Sequence, residues 1–170
     1  MSKHGHGANA MQARERTVSW GDPESCLPWL QNKSGLEFVQ ALADGTLPNP
    51  PMFELVGLRV VDAREGEVTA ECETGEHLYN AASAVHGGVM ATLIDTTTVL
   101  AVRSCLPHGS RMTSVELKLN FLRSLSKDSG KIVAVGTVIH RGRRICVAEG
   151  KVYTQDRKLA AVGSASLALL

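Results

Sequence analysis

The stretch Gly87-Gly88-Val89-Met90-Ala91-Thr92-Leu93-Ile94-Asp95-Thr96-Thr97-Thr98-Val99-Leu100-Ala101-Val102-Arg103-Ser104 decides the fold. It holds no proline, and its small and apolar residues fall on nearly every face of a 3.6-residue period. A helix that is apolar all round is a buried helix. Some 17 residues of helix would run about 25 Å, and Pro107 and Gly109 terminate it. One long helix is therefore expected inside the molecule, and the rest of the chain must wrap it.

The flanking sequence supplies the wrapping. Upstream, Leu58–Arg64 and Glu67–Glu73 are two β-like runs, with Glu65-Gly66 between them as a tight hairpin needs. Residues 74–82 are polar and read as a loop. Downstream, 111–123 alternates through Val115, Leu117, Leu119 and Phe121, and Lys131–Arg141 is rich in Val and Ile. Gly142 is a turn, and 144–155 and 159–170 read as two more strands. Strands of this length exceed the usual 5–6 residues or so. Long antiparallel strands curl, and here they have one helix to curl around.

Nearer the start, Ser34 and Glu37 form a capping box ahead of an apolar stripe of Leu36, Val39 and Leu42, with Phe38 beside it. Gly45, then Pro48, Pro50 and Pro51, stop that short helix. Gly57 closes another short turn or helix. Residues 1–33 show no sustained period and read as an arm, pinned onto the domain by Trp20 and Trp29. His4 and His6 in that arm read as tail residues rather than a metal site. The expected organisation is an arm and capped helix over 1–49 and a single α+β domain over 50–170.

Composition removes several function classes. The chain has 170 residues, 18 Lys+Arg against 17 Asp+Glu, and 4% aromatics. A net charge of +1 gives no general nucleic-acid-binding field, and so few aromatics make no base-stacking surface. Cys26, Cys72, Cys105 and Cys146 form no CxxC pair and no zinc-finger spacing, so they read as reduced thiols of a cytoplasmic protein. The first residues lack the apolar core of a secretory signal, and no run approaches the roughly 18 apolar residues of a membrane span.

Two features carry chemistry. The first is Asn80 followed by Val85-His86-Gly87-Gly88 at the start of the long helix. Two glycines opening a helix leave its first N–H groups uncovered, and with the helix dipole these form an anion or oxyanion site. A plain loop-to-helix turn is the other reading of the same pair. The second is Asp95, in the middle of a helix expected to be buried. An unpaired buried carboxylate costs several kcal/mol, as an order of magnitude, so it needs a reason. It is either a structural Asp bonded to Thr98 or to backbone, or one simply facing water, or a base or nucleophile held in a water-poor pocket. Gly87 and Asp95 lie about 12 Å apart along one helix axis. A carbonyl held by Gly87 is out of reach of Asp95 in the same chain. An antiparallel second helix could bring its own Asp95 there, so the expectation is a symmetric dimer with composite sites.

Asn80-(x5)-His86-Gly87-Gly88-(x6)-Asp95, followed by Thr113-Ser114-Val115-Glu116-Leu117-Lys118-Leu119-Asn120-Phe121-Leu122-Arg123, resembles the hotdog-fold acyl-CoA thioesterases. The likeness is greatest to the phenylacetate-pathway type and to the 4-hydroxybenzoyl-CoA thioesterase type that carries its acid on the central helix. It covers about residues 50–170. It implies a hotdog fold, a long helix wrapped by a curved antiparallel sheet, assembled as a homodimer or a dimer of dimers. It implies that Gly87 donates to the thioester carbonyl and that Asp95 of the other subunit attacks it or activates water. Asn80 matches the position holding the carbonyl or the water. Thr113 or Ser114 matches the hydroxyl that orients them. Val99 stands where some relatives carry a hydroxyl. His86 is either part of a His-Asp relay or a loop-fixing residue.

The turn around His140-Arg141-Gly142-Arg143-Arg144 is basic. It is either solvated surface or, as the resemblance implies, a contact for the coenzyme A phosphates, with Val138 and Ile139 adding backbone contacts. Gly88 is grouped with these substrate-binding residues, and Arg123 and Lys127 are further candidates. The resulting expectation is hydrolysis of an acyl- or aryl-CoA to free acid and coenzyme A. No metal or cofactor is called for, coenzyme A being part of the substrate. A non-catalytic hotdog acyl-CoA-binding or regulatory module is the alternative. A binder has no need for an acid on the helix.

Overall fold

In the computed structural model, which describes residues 13–170, the central stretch is helix α4 (Gly87–Ser104). His4 and His6 lie outside the described residues. Three shorter helices precede it: α1 (Leu27–Asn32), α2 (Gly35–Ala43) and α3 (Pro51–Val56). The strands are β1 (Leu58–Arg64), β2 (Glu67–Glu73), β3 (Met112–Phe121), β4 (Lys131–Arg141), β5 (Ile145–Tyr153) and β6 (Leu159–Leu169). They form one antiparallel sheet in the order β1-β2-β4-β5-β6-β3, with α4 packed on it. This is the hotdog architecture that the resemblance implies.

Local chemistry sets the elements. Gly66 adopts φ +78° in the β1–β2 turn, a left-handed conformation that L side chains rarely take. Ser34 accepts from the Glu37 N–H, and the Glu37 carboxylate accepts from the Ser34 N–H at 2.9 Å, so the capping box is complete. Phe38, Val39 and Leu42 of α2 share the main apolar cluster with Leu93, Ile94 and Leu100 of α4. The first residue of α2 docks on the end of α4, where the Gly35 N–H donates to the Leu106 carbonyl at 2.9 Å.

The helix rests on glycines. Gly136, Gly150 and Gly163 lie side by side in register across β4, β5 and β6. A Cβ at Gly136 would stand 2.3 Å from the Thr97 carbonyl, and one at Gly150 would stand 2.6 Å from Ile94 Cγ2. One at Gly163 would stand 2.5 Å from the Lys118 carbonyl oxygen. At Gly136 the backbone of α4 therefore lies against the sheet, and at Gly150 the strand makes room for the Ile94 and Thr98 side chains.

Three expectations are corrected. First, α4 is not buried all round. Val89, Met90, Leu93, Ile94, Thr97, Thr98, Leu100, Ala101 and Val102 are buried, but Ala91, Thr92, Asp95, Thr96 and Val99 are only half-buried. A composition of Ala, Thr and Val suits either environment, so the apolar count overstated the burial. Second, β3 is the sheet's edge, and Val115 (57% exposed) and Phe121 (55%) do not face the core, while Leu117 and Leu119 are half-buried. A bulge at Val115 shifts the register between Ser114 and Glu116 and breaks the alternation. Third, Trp20 does not pin the arm, being 58% exposed; Trp29 does pack against the core. Arginines hold the arm instead. Arg14 pairs with Glu76 at 2.7 Å, and Arg16 donates to the Leu55 carbonyl at 2.8 Å.

Cys72 and Cys146 are buried, and Cys26 and Cys105 are half-buried, all as free thiols. No helix among the described residues is long and apolar enough to cross a membrane.

Candidate active site

The loop ahead of α4 is held by its own backbone. Tyr79 and Val85 form an isolated bridge, the His86 N–H donates to the Leu78 carbonyl at 2.8 Å, and the Val85 N–H to the Leu125 carbonyl at 2.8 Å. Asn80 closes the turn inside. Its Oδ1 accepts from the N–H groups of Ala82 (2.8 Å) and Ala84 (3.2 Å). Its Nδ2 donates to no acceptor among the described residues, which leaves the amide hydrogens for a ligand.

His86 is the N-cap of α4. Its backbone is extended, and its Nδ1 accepts from the Gly88 N–H at 2.9 Å while its carbonyl accepts from the Val89 N–H at 2.9 Å. Nδ1 is thus engaged as the acceptor of the helix cap. The geometry therefore supports the loop-fixing reading, and no hydrogen bond joins His86 to Asp95 among the described residues. Ahead of these two bonded donors, the Gly87 N–H has no acceptor among the described residues. It lies at the positive end of an 18-residue helix.

Asp95 sits on the half-buried stripe of α4. Ser114 Oγ donates to its Oδ1 at 3.0 Å. The bulge at the next residue, Val115, aims that hydroxyl at the helix. Thr113 is exposed and, one residue along the strand, faces the other way. Thr98 donates to the Asp95 backbone carbonyl at 2.9 Å and not to the carboxylate. So Asp95 is a partnered, partly exposed acid rather than the uncompensated buried charge expected. Val89, Met90 and Leu93 of the same helix are core residues.

The basic turn sits at the opposite end of α4 from Gly87. The Gly142 N–H closes it onto the Ile145 carbonyl at 3.0 Å. Arg141, Arg143 and Arg144 are exposed, as are Ile139 and His140, and among the described residues only Arg141 of the three arginines has an ionic partner, Glu65 at 3.8 Å. Val138 is half-buried and donates its N–H to the Gly66 carbonyl at 2.8 Å. Arg123 is not in this cluster. It follows Phe121, which pairs with Ala161 at the start of β6, whereas Arg144 bonds to Leu169 at the end of β6. One protomer thus carries two separated cationic sites. Lys127, the other further candidate, begins a short turn beside Arg123 and gives its N–H to the Tyr79 hydroxyl at 2.8 Å.

Phe121 also belongs to the site, although its spacing gave it to the core. The face of its ring lies over Gly87. A Cβ there would stand 3.1 Å from Cζ, 3.4 Å from Cε1 and 3.5 Å from Cε2. The signal was available in the pair Phe121-Leu122, since two adjacent large apolar residues on a strand cannot both face one core.

A family model described as the thioesterase superfamily matches residues 82–161. A Halobacterium salinarum chain provisionally named an esterase is 34% identical over 119 residues, covering 67% of this chain and 77% of that one. Human acyl-coenzyme A thioesterase 13 is 28% identical over 115 residues, covering 63% and 81%. Among solved structures, a Haemophilus influenzae thioesterase superposes with a TM-score of 0.68 at 26% identity, covering 79% of this chain and 90% of that one.

Proposed function

The chain belongs to the thioesterase superfamily, and from that premise we propose that it hydrolyses acyl-CoA thioesters to free acid and coenzyme A. One observation carries the reading. A serine-held carboxylate, Asp95, lies on the open flank of the same helix whose first N–H, at Gly87, has no acceptor among the described residues. An acid and an oxyanion donor are what addition of oxygen to a thioester carbonyl requires.

The Gly87 N–H and the α4 dipole stabilise charge that develops on the carbonyl oxygen. The Asn80 Nδ2 donates to that oxygen or to the attacking water. Asp95 attacks the carbonyl carbon or takes the proton from water, and Ser114 fixes its orientation in either case. The carbon–sulfur bond then breaks and coenzyme A leaves as the thiol. Where Asp95 has taken the proton from water, it returns that proton to the sulfur. Where Asp95 has attacked, the sulfur takes a proton from water, and a second water hydrolyses the acyl–Asp95 anhydride to free acid and the carboxylate. No metal or cofactor enters these steps.

The site is completed by a second copy. Helix α2 covers one flank of α4, while the other flank and the β3 edge are open. Pairing two β3 edges antiparallel sets Phe121 of one copy opposite Met112 of the other. That brings the second copy's Asp95 and Ser114 toward this Gly87. It also brings the second copy's 141–144 turn toward this Arg123, so that the two separated cationic sites converge on one nucleotide. Guanidinium groups suit its phosphates.

Asp95→Asn tests the reading. It keeps the shape and the Ser114 contact but removes the base, and kcat for acyl-CoA should fall about 10²–10⁴-fold while the substrate still binds. Light scattering should show two or four chains. Wild-type turnover in the variant would defeat the catalytic role of Asp95. A fully active monomer would defeat the composite site. Binding of acyl-CoA by the wild type with no turnover at all would leave the binding-module alternative.

A further inference from the structure

One end of the protein carries two arginines that the thioester chemistry leaves unused. Helix α1, the last turn of α4 and the start of β3 enclose a cavity of about 390 Å³, lined by Arg103, Arg111, Leu27, Leu30, Met112 and Leu170. Arg103 is half-buried, and that burial pulls its guanidinium below the usual arginine range. Its Nη1 donates to the Ser110 carbonyl at 2.6 Å, and its other N–H groups find no acceptor among the described residues. Neither Arg103 nor Arg111 has an ionic partner among the described residues, and no acidic side chain lines the cavity. A half-buried cation beside apolar walls is costly until an anion joins it.

The end of β6 joins this cavity to the basic turn. The Leu169 N–H donates to the Arg144 carbonyl at 2.8 Å, and the Leu170 N–H to the Arg111 carbonyl at 2.9 Å. Arg144 and Arg111 therefore flank one strand end, their backbones about 10 Å apart at two strand spacings. Two cationic subsites so placed suit a ligand with two phosphate groups. Coenzyme A has a diphosphate in mid-chain and a 3′-phosphate at its nucleotide end. An end group can enter a cavity, whereas the diphosphate, continued on both sides, suits the open turn. A phosphate monoester carries a charge of about −2 at neutral pH, which two guanidinium groups match. We propose that the cavity is the seat of the 3′-phosphate, with Arg103 and Arg111 as its ligands and Leu27 and Leu30 against the adenosine. The inference rests on the acyl-CoA reading of the site. It gives a substrate contact to α1, which lies outside the residues 82–161 that the family model matches.

Two neutral substitutions isolate the charge. Arg103→Gln keeps a donor for the Ser110 carbonyl, and Arg111→Gln changes an exposed residue. Each should raise KM for acyl-CoA about tenfold, the usual worth of one charge-assisted hydrogen bond, with kcat near the wild type. Neither should change KM for the same acyl group carried on 3′-dephospho-coenzyme A. Alanine at Arg141, Arg143 and Arg144 should instead raise KM for both, since both keep the diphosphate. A merely structural role for Arg103 or Arg111 would move the two substrates equally.

The experiment measures turnover of the acetyl and benzoyl thioesters of coenzyme A and of 3′-dephospho-coenzyme A by the full chain and its variants. It also titrates adenosine 3′,5′-bisphosphate into each by calorimetry, with melting temperatures as a control. The expected result is a KM rise confined to the 3′-phosphorylated substrates, and bisphosphate binding weakened about tenfold in each glutamine variant. Equal KM rises on the two coenzymes, or bisphosphate binding unchanged in both variants, would overturn the proposal. If Arg103→Gln does not fold, Arg111→Gln decides alone. If the wild type hydrolyses nothing yet binds the bisphosphate through Arg103 and Arg111, the thioesterase reading fails and the phosphate seat stands. If it hydrolyses both coenzyme thioesters equally well and binds no bisphosphate, the seat fails and the thioesterase reading stands. If it neither hydrolyses nor binds, both fail.

Discussion

Replacing His86 separates two jobs that one imidazole could hold. In the structure its Nδ1 caps α4 through the Gly88 N–H at 2.9 Å. Asparagine is among the best N-caps and has no useful acid–base chemistry near neutral pH. His86→Asn should therefore keep the cap, with stability within about 0.5 kcal/mol of the wild type and turnover within a few fold. His86→Ala leaves the Gly88 N–H without its acceptor and should cost about 1 kcal/mol, within the range of roughly 0.5–2 for lost caps. For a chain of this size that lowers Tm by about 2–4 °C. The lost cap also loosens the peptide that presents the Gly87 N–H, so the alanine variant should lose turnover where the asparagine variant does not. Thermal unfolding and steady-state kinetics on the two variants decide the matter. An asparagine variant with wild-type Tm and turnover reduced 100-fold or so would refute the capping account and return His86 to proton transfer.

Replacing Arg141, Arg143 and Arg144 by alanine should raise KM for acyl-CoA and leave kcat near the wild type, and the effect should vanish for substrates cut back to the pantetheine arm. Equal losses on both substrates would remove the phosphate role. Gly136→Ala places a methyl 2.3 Å from the Thr97 backbone, which has no side-chain freedom to yield, and should destabilise by about 1–3 kcal/mol or more in urea unfolding. Burial pushes the Cys72 thiol up to about 11, from 9.0, with Glu73 adding to the rise and Arg16 opposing it. The unfolded chain gives up this proton first as pH rises, so stability should fall from about pH 9 to 11, and less so in Cys72→Ala. At pH 8 iodoacetamide should label Cys72 far more slowly in the folded chain than in urea, and equal rates would contradict its burial.

The long helix, the hairpin and the succession of strands along the chain were legible because each rests on local signals: a proline-free apolar run, a glycine needing positive φ, and long alternating segments. The capping box was legible for the same reason. What failed was non-local. Whether the Ala, Thr and Val around Asp95 face a sheet or stay open depends on which strands reach over them. The edge position of β3 follows from the strand order, which no residue of β3 encodes. Ser114 could not be chosen over Thr113 without the bulge at Val115, since that irregularity decides which hydroxyl turns to the helix. Arg123 and the 141–144 turn were grouped by charge, and the register through β6 separates them within one chain.

The row of Gly136, Gly150 and Gly163 has a consequence for how such a protein can change over time. The height and position of α4 are set where Gly136 meets the Thr97 backbone and Gly150 meets the Ile94 side chain, so the opposite stripe of the helix contributes little to holding it in place. Residues such as Thr92, Thr96 and Val99 can be exchanged without shifting the axis that carries Asp95. The same seat can thus carry altered chemistries, with innovation confined to one stripe and heritable constraint concentrated in Gly136 and Gly150 beneath the helix.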